Sequence, residues 1–185
     1  MRPGLLMAIA KEQVVWILCG VMAAAAGITD WRSRRIPNWL TVSGALLGIV
    51  VNAWLSGWYG VRESLLGMLL GLAVLLPFVL VRSLGAGDWK LIGAVGAFVG
   101  PQQLLVVLFA TVLVAGVMAL GLIIWKRRFR QTLRNIGRMF LAFLRFHLPG
   151  QELSLDNPEA LKVPFGVAAA IAVVLYSVGH VWGVA

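Results

Sequence analysis

Long apolar runs separated by short polar patches organise this chain. A membrane-spanning helix needs roughly 20 mostly apolar residues. Six stretches approach that pattern: Val14–Thr29, Trp39–Leu55, Leu65–Val81, Gly87–Gly100, Leu104–Trp125 and Pro164–Val184. The pattern predicts an all-α, polytopic membrane protein with about six transmembrane helices. The fourth stretch is short. At about 1.5 Å per residue it reaches roughly 21 Å, against a hydrocarbon core of about 30 Å. Its start is therefore expected below the headgroups, with protein or water around its polar residues.

One further segment is periodic but not uniformly apolar. In "KRRFRQTLRNIGRMFLAFLRF", Phe129, Leu133, Ile136, Phe140, Phe143 and Leu144 recur at steps of three and four, with arginines between them. This predicts an amphipathic helix over about 126–147, lying in the membrane surface against anionic lipid. "GQELSLDNPEALK" after it reads as a polar, turn-rich connection. The whole chain, 1–185, is expected to form a single membrane-embedded domain.

Composition agrees: 61% of the 185 residues are hydrophobic and 12% charged, with a mean hydropathy of +0.92. A soluble globular domain does not look like this. The single cysteine, Cys19, excludes a disulfide within the chain and a cysteine-based zinc cluster. It reads as a small buried hydrophobe. The net charge of +9 reports orientation rather than nucleic acid binding, because the basic residues flank the apolar runs. Arg32, Arg34 and Arg35 follow the first run, Arg82 and Lys90 surround the link after the third, and eight more follow the fifth, from Lys126 to Lys162. Only Arg2, Lys11 and Arg62 fall on the other side. The positive-inside rule then places the odd-numbered connections in the cytoplasm and both termini outside. The small residues Ala23–Gly27 would permit signal cleavage, but cleavage there would leave "WRSRR" on the translocated side, against this bias.

The chain has seven acids, and only Asp30 and Asp88 lie at the cytoplasmic edges of apolar runs. The chain crosses twice between them, so both face the same compartment at similar depth. Carboxylates near bilayer depth are costly and tend to face a bundle interior or wet cavity. Two of them brought close share a proton, so that one can accept a proton from water while the other donates to a carbonyl oxygen. A plainer structural reading exists for each. Asp30 has Arg32, Arg34 and Arg35 as neighbours, and Asp88 suits the N-cap of the fourth helix. The glycines in "GAGDWK" favour chemistry, since Gly85 and Gly87 permit positive φ and close approach of another backbone, as an extended substrate would need.

Three motifs then occur in order: "DWRSRRIPN" (Asp30–Asn38), "GAGDWK" (Gly85–Lys90) and "KVPFG" (Lys162–Gly166). Together they resemble the type IV prepilin peptidases, membrane aspartic proteases that trim pilin and pseudopilin leaders. The likeness runs from about Val14 to Val184. It implies Asp30 and Asp88 as the catalytic pair, water as nucleophile, no cofactor or metal, and Gly85, Gly87 and Lys90 as motif support. Lys90 would tune the charge of Asp88 or snorkel, and Pro37 would start the second helix. The partner implied is a prepilin-like precursor, cleaved at the cytoplasmic face of a bacterial inner membrane. Bifunctional members add an N-terminal domain with paired CxxC motifs that methylates the product. This chain opens almost directly on its first apolar run, which implies a peptidase-only form like those of tight-adherence (Flp) pilus systems. Presenilin-like proteases share GxGD but pair it with Tyr-Asp and Pro-Ala-Leu motifs, neither of which occurs here. The rival reading is a small ion- or proton-coupled transporter relaying protons through the same acids, although no internal repeat supports it. His147 and His180 form no evident joint site, and the eight tryptophans mostly resemble interfacial anchors.

Overall fold

The computed structural model describes residues 3–126 and 164–181, and every described element is helical. These are α1 (Pro3–Ser33), α2 (Asn38–Leu80), α3 (Ala86–Trp125) and α4 (Phe165–Val181). The three long helices are apolar and long enough to cross a membrane, and α4 is a shorter apolar helix. The amphipathic segment expected over 126–147 lies outside the described residues beyond Lys126, as does His147.

Six apolar runs become four elements because α2 and α3 each hold two runs joined by a bend. Gly57 (φ 61°) and Gly100 (φ 75°) break the helical path. Positive φ is the region where glycine's missing Cβ matters, and Pro101 after Gly100 restarts the helix where its absent N–H is not needed. The bends reverse the chain. A continuous helix would set Asn52 and Ser64 about 18 Å apart, yet the Asn52 amide donates to Ser64 Oγ at 3.0 Å. Likewise Ile92 and Leu104 both lie against Gly71.

The first limb of α3 is the centre of the fold, and every residue from Leu91 to Phe98 is buried. Both limbs of α2 press on it through glycines. A Cβ on Gly48 would stand 3.0 Å from the Ala97 carbonyl oxygen, and one on Gly67 would overlap the Gly96 carbonyl. Close backbone approach through small residues is the usual way apolar helices pack where lipid provides no hydrophobic drive. The Asn52 amide also donates to the Phe98 carbonyl at 2.8 Å and to the Ala97 carbonyl at 3.2 Å, and the Trp89 indole donates to the Leu72 carbonyl at 2.8 Å. The shortness of the fourth run thus has a physical reason: it is wrapped in protein.

α1 and α4 pair antiparallel. Gly20 faces Ser177 and Gly27 faces Ala170, while Gln13 donates to the Val181 carbonyl at 3.1 Å. Trp16 departs from the expected interfacial role. It is 2% exposed, with its ring 4.9 Å from Tyr176 and 4.8 Å from His180. Trp31, Trp39, Trp54, Trp58 and Trp125 are exposed as anchors would be. Cys19 is fully buried, as expected.

The glycine contacts yield a prediction. Gly67→Ala should lower the stability of the detergent-extracted protein by about 1–3 kcal/mol through overpacking. Gly116→Ala, where a Cβ meets nothing within 4 Å, should be neutral or slightly stabilising, both read from thermal unfolding.

Candidate active site

Four helix ends converge at one end of the bundle. α1 contributes its last turn, closed by Arg34 in a left-handed conformation (φ 53°) whose N–H donates to the Asp30 carbonyl at 2.9 Å. α2 ends in a Schellman motif around Arg82 (φ 54°), with Ser83 N–H bonded to the Phe78 carbonyl at 2.9 Å. Two residues later Gly85 opens α3, and α4 starts after the buried Pro164.

Asp30 and Asp88 meet here. Asp30 is 6% exposed, and Asp88 is partly buried and within range of the charge on Asp30. The start of α4 supplies their hydrogen-bond donors. Val167 N–H donates to Asp30 Oδ2 at 3.2 Å, and the Gly166 amide interacts with both carboxylates. Asp30 stands at the C-terminal end of α1, where the helix dipole disfavours negative charge, and the positive end of α4 offsets this. The guanidinium of Arg34 also acts on Asp30.

Asp88 is not the N-cap, the plainer structural role that its sequence position allowed. Gly85 is the N-cap, and Asp88 lies in the first turn and reaches back to the Gly85 amide, one half of a capping box. Gly85 and Gly87 are also not at positive φ, since Gly57 and Gly100 are the glycines at positive φ among the described residues. Close approach does occur at Gly87, where a Cβ would lie 3.3 Å from the Ile36 Cβ and 3.5 Å from its backbone nitrogen. The backbone approaching Gly87 is thus the protein's own, from the Ile-Pro-Asn stretch. Pro37 is the N-cap of α2 rather than its first helical residue. Lys90 donates to Asn38 Oδ1 at 3.0 Å, joining the first motif to the second.

Gly166 shows why the third motif belongs with the other two. A Cβ there would sit 2.8 Å from Asp30 Oδ2 and 2.8 Å from Ile36 Cδ1. The amides of Gly166 and Val167, the Ile36 wall and the Asn38 acceptor were not assigned from sequence. The motifs containing three of them were visible, but their meeting in space was not. Among the described residues no three His, Cys, Asp or Glu side chains gather as metal ligands.

The model of the type IV leader peptidase family matches residues 16–120, more than half of the chain, and the chain belongs to that family. The matched region contains Asp30, Gly85, Gly87, Asp88 and Lys90 and ends before α4. No curated protein and no solved structure matches the chain.

Two predictions follow from this geometry. Gly166→Ala should displace the Asp30 carboxylate and cut peptidase activity by about 10²-fold while the protein still inserts; undiminished activity would show that Gly166 does not hold the pair. Asn38→Ala and Lys90→Ala should be coupled by about 0.5 kcal/mol in a double-mutant cycle of thermal stability.

Proposed function

We propose that the protein is a membrane aspartic endopeptidase that removes the leader of type IV prepilin-like precursors at the cytoplasmic membrane face. What carries the reading is the convergence of Asp30 and Asp88, from two different helices, beneath the first amides of α4. In this reading residues 1–185 form one membrane-embedded domain that crosses the bacterial inner membrane six times, α2 and α3 twice each. Both termini lie outside, the site faces the cytoplasm, and the basic 126–145 segment rests on anionic lipid. The substrate is a pilin or pseudopilin precursor inserted by its apolar helix, with its leader in the cytoplasm. Membership of the leader peptidase family favours a peptidase over a proton-coupled carrier.

The chemistry is general acid–base catalysis on water. One carboxylate takes a proton from a water molecule as its oxygen attacks the scissile carbonyl, and the other aspartic acid donates a hydrogen bond to the carbonyl oxygen as charge develops there. The proton then passes to the leaving amine. Gly87 lets α3 start close against Ile36, Gly85 leaves room for the Asp88 carboxylate, and Lys90 with Asn38 holds the two motifs in register. Neither a metal nor a cofactor takes part, and the product leaves with an unmethylated N-terminus.

Co-expression with candidate prepilins provides the test, with leader removal read from the mass of the product. Asp30→Asn and Asp88→Asn should each slow cleavage by about 10²–10⁴-fold while insertion stays normal. Wild-type cutting by either variant would remove that residue from the mechanism. Cleavage in detergent, with no ion gradient, separates a protease from a carrier.

A further inference from the structure

We propose that the substrate's own apolar helix docks in the groove between α1 and α4. The inference rests on the peptidase reading above and adds the side of the bundle from which the substrate arrives. A groove of about 680 Å³ is walled by Ile28 and Trp31 of α1 and by Val167, Ile171 and Leu175 of α4. One end lies next to Asp30 without being lined by either carboxylate, because Trp31 follows Asp30 in sequence and Val167 donates its N–H to Asp30. The other end continues along the same seam into a hollow of about 340 Å³ that shares Ala24 and Val174 and extends to Trp16 and Val181.

Length and chemistry together select the occupant. From Asp30 back to Trp16 the seam follows α1 for about 21 Å at 1.5 Å per residue, most of the hydrocarbon thickness. Its walls are mostly apolar, with Arg32 beside Trp31 as the charged exception, and they open outward, with Ile28 56%, Ile171 40% and Leu175 64% exposed. An extended polar peptide would lack backbone partners along such walls, whereas a helix satisfies its own. On the side of α2 and α3 the chain itself fills the space beside the acids, with Ile36 against Gly87 and Lys90 bonded to Asn38. An apolar helix lying along α1 and α4 therefore presents the bond just beyond its end to Asp30 and Asp88.

The test is site-specific crosslinking in membranes. The Asp88→Asn protein is co-expressed with an uncleaved precursor that carries one cysteine midway along its apolar helix. Cysteines are placed singly at Ile28, Ile171 and Leu175, with Val50→Cys and Leu113→Cys as controls on the exposed faces of α2 and α3. All five positions are exposed, and Cys19 is fully buried, so neither folding nor background labelling confuses the result. Disulfide yield with the precursor should be at least about tenfold higher from the groove positions than from the controls. Equal yields, higher yields from Val50→Cys or Leu113→Cys, or no precursor crosslink from the groove would overturn the proposal and leave the groove to lipid. Crosslinks joining two copies of the peptidase at the groove would overturn it in favour of a self-association face. If Asp88→Asn still cleaves, the aspartate mechanism fails, while the crosslink pattern still reports where the substrate helix sits.

Discussion

The contact between the first amides of α4 and the two aspartates is the interaction on which the site depends. Asp30 sits where it is electrostatically least welcome, in the last turn of α1, and is buried there. A carboxylate in that position needs compensation, and the N–H groups of Gly166 and Val167 supply it. The same helix start touches Asp88. One element, arriving last in the chain, thus collects two acids separated by 57 intervening residues. Gly166 has to be glycine for steric reasons, since carboxylate and Ile36 side chain already occupy the space a methyl group would take.

A second constraint holds α3 in place beneath that contact. Asp88 points into the site only because its helix is anchored below it. The anchoring is backbone against backbone at Gly48, Gly67 and Gly96, with Asn52 reaching across to carbonyls of the central limb. Dispersion between closely apposed backbones and a few shielded hydrogen bonds replace the hydrophobic drive that lipid surroundings remove. The placement of the acid-bearing end is therefore set well below it.

Much of this was legible from the chain itself. Apolar periodicity located the runs, and the parity of crossings put Asp30 and Asp88 at the same end. Burial of Cys19 also followed from its setting. What escaped was decided by tertiary contact. Gly85 and Gly87 read as conformational outliers, but the approaching Ile36 backbone requires only the absence of Cβ at Gly87. Trp16 fell among tryptophans that mostly resemble anchors because a span end and an aromatic pocket look alike in sequence, yet its ring packs edge-on against Tyr176 and tilted against His180. Gly57, one of the actual outliers, sits in surroundings that gave no reason to single it out, whereas Gly100, the other, stands before Pro101 at the end of the fourth run, where a turn signal was present.

Those two single-residue reversals have a mechanical consequence. Each joins a pair of limbs at the end remote from the acids, in the manner of the pivot on a pair of tongs. At the acid end the links are longer: Ser33 to Asn38 joins α1 to α2, and Val81 to Ala86 joins α2 to α3. Each pair of limbs is thereby turned by the dihedrals of one residue at its remote end, and the spacing at the jaws rests on side-chain contacts such as Lys90 with Asn38.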